Sequence, residues 1–243
     1  MGRDIALLLA DHGAHVVLGA RRAEAVAGLA EEITARGGAA DGVRLDITEP
    51  ASCQAAVDAA LAATGRLDVL VNNAFSEGNF RTVESSDLGE WRATMEVNLF
   101  GTLCMTQAAI PALREAGDGR IVMVNTMSVR RIQARFGAYA ASKAALESAT
   151  KTLAVELGGY GIRVNGIHPG YIWGPSVKAW FAQRAERRGV DPEVVYREVA
   201  DETCLGYLPQ PREIAGSVLF LASDLSRPVT GQSLGVNAGH WLG

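Results

Sequence analysis

Tyr139 and Lys143 lie four residues apart in the stretch YAASKAALESATKTLAVEL. On a helix, residues at that spacing sit one above the other on the same face. An ammonium therefore stands near a phenol, and its charge favours phenolate, lowering the tyrosine below its free pKa of about 10. A tyrosine tuned in this way exchanges a proton with a carbonyl or alcohol oxygen near neutral pH. The pair alone is a weak signal, because Tyr-x-x-x-Lys recurs by coincidence on helix surfaces.

Further polar groups accompany it. VNNA (71–74) closes an apolar run, and Asn98 lies in NLFG inside the long helical stretch that follows. NTMS (125–128) ends the next apolar run, just before the Tyr139 helix, and His168-Pro169-Gly170 ends the one after. If those runs are parallel strands, the polar groups collect at their carboxyl ends, where open α/β sheets bind ligands.

Strand-like runs occupy 15–19, 42–46, 67–74, 119–126, 162–170 and 232–239, with helical stretches at 23–36, 50–63, 87–116, 138–158 and 211–223. The strands are continuously apolar, which fits burial on both faces of a parallel sheet. The pattern predicts one α/β domain over 1–243, with a doubly wound, mostly parallel sheet and right-handed crossovers. No linker, repeat or low-complexity segment divides it. The one long insertion, 171–210, carries Tyr171, Trp173, Trp180, Phe181, Tyr196 and Tyr207. It suits a lid over a large, apolar or aromatic substrate, although aromatics also simply pack.

The bulk numbers narrow the function classes. The 243 residues are 48% hydrophobic and 21% charged, which suits a globular protein with a real core. A net charge of −4 argues against nucleic acid as the main partner. No apolar run approaches the ~20 residues of a membrane span. IALLLA (5–10) is too short for a signal-peptide core and is followed by Asp11 and His12. Cys53, Cys104 and Cys204 lie far apart without metal-ligand spacing, which fits packing residues in a reducing cytoplasm.

With these residues in this order, the chain resembles the short-chain dehydrogenase/reductase family over essentially its whole length. The matching residues are Asn72-Asn73-Ala74, Asn98, Tyr139 with Lys143, and Pro169-Gly170. The resemblance implies a Rossmann-like oxidoreductase that interconverts a ketone and a secondary alcohol by hydride transfer. Tyr139 would be the general acid/base, and Lys143 would hold the nicotinamide ribose and tune Tyr139. A helix distortion at Asn98 would support a water-linked proton relay. Asn73 and Ala74 would line the cofactor cleft, with Pro169, Gly170 and Ile172 by the nicotinamide, and Asp46-Ile47 would contact adenine. Relatives commonly form tetramers or dimers through the helices here at 87–116 and 138–158 and the last strand.

The chain departs from the pattern in places. The family's substrate-binding serine, thirteen residues before the tyrosine, is Thr126 here, with Ser128 two residues on. Thr126 has the hydroxyl at the right spacing but a methyl that restricts its rotamer, and Ser128 serves if the loop bulges. The glycine after Asn-Asn-Ala is Phe75, and a threonine that often follows Pro-Gly is Gly174. Members open with a strand and Thr-Gly-x-x-x-Gly-x-Gly. Here GRDIALLLA matches only from the last glycine, Gly2, so the chain reads as cut at its start. A chain without that strand and loop is expected to bind dinucleotide poorly.

NAD-using relatives place an acid after the second strand; this chain has Ala20, then Arg21 and Arg22. A guanidinium grips a 2′-phosphate with a bidentate fork, so NADP is the expected cofactor, with NAD possible. The four histidines pair with no nucleophile or metal, and His168 is either site-lining or a packing residue. Arg130, Arg131 and Arg135 meet an anionic substrate or form a solvated or subunit-facing edge. A non-catalytic nucleotide-binding or sensor protein on the same scaffold, or an inactive shortened form, is the alternative function. The absent glycine loop favours it; Asn98, Tyr139 and Lys143 oppose it.

Overall fold

The structure, a computed structural model, describes residues 1–242. Helix α1 (Gly2–Asp11) leads into β1 (His15–Ala20), α2 (Ala23–Ala35), β2 (Ala39–Arg44), α3 (Pro50–Thr64) and β3 (Val69–Asn72). Then come α4 (Leu88–Met95), a π turn (Glu96–Gly101), α5 (Thr102–Ala116), β4 (Arg120–Val124), α6 (Gly137–Leu157) and β5 (Arg163–Pro169). The chain closes with α7 (Pro175–Arg188), α8 (Pro192–Ala200), α9 (Pro211–Ala222) and β6 (Ser233–Val236).

Local sequence explains many of these boundaries. Pro50, Pro175, Pro192 and Pro211 sit in the first turns of α3, α7, α8 and α9, where a missing N–H costs nothing. Gln210 and Glu213 close a reciprocal capping box on α9. Gly65 ends α3 in the left-handed region at φ 73°, which a side chain would disfavour.

All strand pairs are parallel, and the helices cover both faces. On β4, Ile121 and Met123 pack with α3, α5 and α6, while Val122 and Val124 pack with α1 and α9. That alternation is the period-2 pleat of a strand buried on both sides.

The strands do not form one sheet. They split into a β1-β2 pair and a four-stranded β3-β4-β5-β6 sheet. In the four-stranded sheet β5 is buried throughout and β4 nearly so, whereas Val16, Val17, Val69, Leu70 and Val71 are only half-buried. β1 and β3 each pair along one edge, so each lacks the second neighbour that covers an interior strand.

The stretch 87–116 is interrupted by the π turn around Asn98, the site of the expected helix distortion. The insertion holds two helices, α7 and α8, that build a small core of their own around Phe181 and Val195.

Candidate active site

Helix α6 carries Tyr139 and Lys143 on one face toward the carboxyl ends of β4 and β5. Lys143 is 2% exposed, and its Nζ donates to the Val124 carbonyl at 2.8 Å. Burial pulls its pKa down to about 8. Burial likewise pushes the Tyr139 phenol up to about 12; the facing Thr126 hydroxyl opposes that rise and the Glu77 carboxylate adds to it. The expected lowering of the phenol by Lys143 is therefore not what the structure has. The ammonium is committed to a main-chain carbonyl, and desolvation, which penalises phenolate, prevails.

Thr126 and Ser128 are both buried just past β4. The Thr126 hydroxyl accepts from the Ser128 N–H at 3.2 Å and lies 3.3 Å from the Ser128 hydroxyl. Thr126 thus caps the short turn Met127–Val129 and is the hydroxyl that faces Tyr139.

Asn98 is fully buried in the π turn, a rare geometry often found at functional sites. Its Oδ1 accepts from the Ser76 N–H at 2.7 Å; its Nδ2 donates to the Ser76 carbonyl at 2.8 Å and to the Ser142 hydroxyl at 2.9 Å. Ser142 in turn donates to the Tyr139 carbonyl at 2.8 Å. The side chain is a clamp tying the loop after β3 to α6. Sequence reasoning missed Ser76 and Ser142, although Ser142, three residues after Tyr139, shares its helix face.

At the end of β3, Asn72 donates to Thr106 Oγ1 at 3.0 Å. Asn73 lies against the start of α1, where a Cβ on Gly2 would come within 2.7 Å of its Nδ2. Ala74 is exposed, and Phe75 is half exposed with its ring edge-on to Tyr139, centroids 6.4 Å apart. At the end of β5, Pro169 is buried, and a Cβ on Gly170 would come within 2.8 Å of Asn237 Cβ. Ile172 packs against the core on the α1 and α9 face.

The residues on the β1-β2 side are separate from this cluster. Arg21 and Arg22 are exposed after β1 and, among the described residues, form no ion pair. Asp46 accepts from the Thr48 N–H at 3.0 Å and the Thr48 hydroxyl at 2.7 Å. Those bonds, with smaller help from Arg21 and Arg44, hold its pKa below the usual carboxylate range. Ile47 is buried beneath Gly101 of the π turn.

Arg130 pairs with Glu147 and Arg131 with Glu202, so neither is a free cation on a solvated edge. His168 is 2% exposed, 3.8 Å from Glu147, and burial lowers its pKa. The insertion's aromatics largely meet one another, with Trp173 against Tyr196 at 4.6 Å and Tyr171 stacked on Trp180 at 6.1 Å.

Together, a neutral phenol, a facing hydroxyl and a buried ammonium one helical turn on lie at the end of β4. Such a set can deliver a proton to an oxygen and stabilise charge developing on it.

The sequence pattern of a family described as "Enoyl-(Acyl carrier protein) reductase" matches residues 1–240. Trans-4-hydroxycyclohexanecarboxylate dehydrogenase from Sinomonas cyclohexanicum is 37% identical over 251 residues, covering 100% of this chain and 89% of that one. The crystal structure of a single-substitution variant of actinorhodin polyketide ketoreductase with NADPH superposes with a TM-score of 0.90 at 29% identity, over 98% of this chain and 92% of that one. NAD+-bound xylitol dehydrogenase gives 0.88 at 29% identity, over 97% of this chain and 92% of that one.

Proposed function

The chain belongs to the short-chain dehydrogenase/reductase family, and on that premise we propose that it interconverts a ketone and a secondary alcohol with a preference for NADP(H). The observation that carries the reading is that Tyr139 faces Thr126 just past β4 while Lys143, one helical turn on, is buried against Val124 at the end of the same strand.

Two features of the chain fit a nicotinamide dinucleotide. Lys143 uses one ammonium hydrogen on Val124 and keeps two donors, which suit ribose hydroxyls. Arg21 and Arg22, exposed and without ion-pair partners among the described residues, offer guanidinium forks that suit a 2′-phosphate. Asn73, Ala74, Pro169, Gly170 and Ile172 would border the nicotinamide half, with Asp46 and Ile47 at the adenine and the start of α1 at Gly2 toward the phosphates. The cofactor, when bound, supplies or accepts the hydride.

Tyr139 carries the proton. With its pKa pushed to about 12 it is a phenol at neutral pH, so in the reducing direction it is the donor. Thr126, facing that phenol, steadies the oxygen as charge builds, and Ser128 supports Thr126. Asn98 fixes the loop after β3 against α6.

We read 1–243 as one domain with 171–210 as its substrate-side lid, acting in the cytoplasm on an apolar or aromatic small molecule. We also read it as a homotetramer or dimer. Exposed Phe100 and Val155 on the π turn and α6 support that assembly, which light scattering at micromolar concentration tests.

The functional test is a panel of cyclic and aryl ketones with NADPH and with NADH, following cofactor absorbance, with Tyr139→Phe as control. Turnover lost in the variant is the expected result. No turnover of any ketone or alcohol with either cofactor overturns the reading.

A further inference from the structure

Phe75 occupies an unusual place beside the proton-bearing residue. It immediately precedes Ser76, whose N–H and carbonyl are both held by the Asn98 side chain at 2.7 and 2.8 Å. Beyond it, Gly78 sits at φ 67°, where a Cβ would come within 2.8 Å of Thr94 Oγ1, so the loop packs closely on α4 there. The backbone is thus held on both sides of Glu77, and the residue after Phe75 is fixed to Asn98.

Its ring meets the Tyr139 ring edge-on, with centroids 6.4 Å apart and planes at 60°. Yet Phe75 remains 50% exposed, although a large apolar side chain gains from burial. That open half belongs to a ring packed edge-on against Tyr139, the residue that carries the proton. Glu77, exposed and without an ion-pair partner among the described residues, adds negative charge to the same edge. A Cβ on the next residue, Gly78, would lie 3.8 Å from Ala138 Cβ, so Glu77 sits in a loop held against the start of α6, and its charge helps to raise the phenol's pKa.

We propose that Phe75 is a specificity-determining residue: its exposed ring forms an apolar shelf beside Tyr139 that receives the neutral ring of a cyclic or aryl ketone, while Glu77 turns away substrates that carry a carboxylate. This rests on the ketone/alcohol reading above and names the substrate class for it. A shelf on one side of the reacting oxygen favours flat apolar groups through burial and leaves the proton transfer itself untouched.

The test compares 2-tetralone, 4-oxocyclohexanecarboxylate and acetone in wild type, Phe75→Ala and Glu77→Gln. Phe75→Ala is expected to lower kcat/KM for 2-tetralone roughly tenfold, mainly through KM, with kcat for acetone and the pH profile unchanged. Glu77→Gln is expected to raise kcat/KM for 4-oxocyclohexanecarboxylate severalfold, a gain that shrinks as salt is added. Unchanged substrate ratios in both variants, in an enzyme that turns over, overturn the proposal while leaving the ketone/alcohol reading intact. A second measurement is independent of turnover: 4-fluorophenylalanine at position 75, read by fluorine NMR. A resonance shifted by 2-tetralone and not by acetone supports the shelf; one that 2-tetralone leaves unmoved overturns it.

Discussion

Lys143 sits one helical turn beyond Tyr139 on α6, yet its ammonium donates to the Val124 carbonyl 2.8 Å away. The two residues share a helix face, but the charge of one is spent on the end of β4. Tyr139 is a strongly held phenol, and Lys143 a weakened base. Both shifts have burial as their first cause.

Replacing Tyr139 with phenylalanine removes only the hydroxyl that carries the proton. Turnover is expected to fall by about a thousandfold or more, with cofactor affinity within about threefold of wild type. Lys143→Met is expected to impair both, because it removes the buried donor. Steady-state kinetics alongside fluorescence titration with NADPH separates the two patterns.

The Lys143 shift makes stability depend on pH. Its folded pKa, about 8, lies below the ordinary lysine value of 10.5 that represents the unfolded chain. Between those values the unfolded chain binds more protons, so stability rises with pH across that window. From about pH 7.5 to about pH 9.5 this group contributes a gain of about 2 kcal/mol. Tyr139, raised to about 12, acts in the opposite direction only above about pH 10. Urea denaturation at the two ends of the lysine window should show the gain in wild type and its loss in Lys143→Met.

Arg21 and Arg22 are exposed and lack ion-pair partners among the described residues. Arg21→Ala should weaken NADPH binding by about 1.5–3 kcal/mol, the value of a charged hydrogen bond, and leave NADH nearly unchanged. Calorimetric titration with each cofactor checks it, and equal losses for the two would count against the assignment.

Asn98→Ala strands the Ser76 N–H and the Ser76 carbonyl together and takes one of the two bonds of the Ser142 hydroxyl, which still donates to the Tyr139 carbonyl. A destabilisation of about 2–4 kcal/mol is expected, since polar groups left unpaired in the interior bear their desolvation cost. The denaturation midpoint reads this directly. Proteolysis should also quicken within 73–78, the loop that the clamp holds.

The sequence by itself determined the alternation of elements and which residues share a face. Apolar runs placed six strands, and β4 and β5 have the two-sided burial such runs imply, whereas β2 begins three residues before the expected position 42 and is largely exposed. The four-residue spacing placed Tyr139 and Lys143 on one side of α6, because helix geometry is local. Asn98 was singled out, and its helix distortion is present as the π turn. Only the tertiary structure decided where side chains spend their polar groups. Lys143 turns to a carbonyl nineteen residues back, Asn98 spans to Ser76 and Ser142, and Arg130 closes on Glu147. These partners come from other strands and helices, and burial sets how much each one matters. A strand's own residues encode its pleat and burial, while its neighbours are fixed by how the whole chain packs.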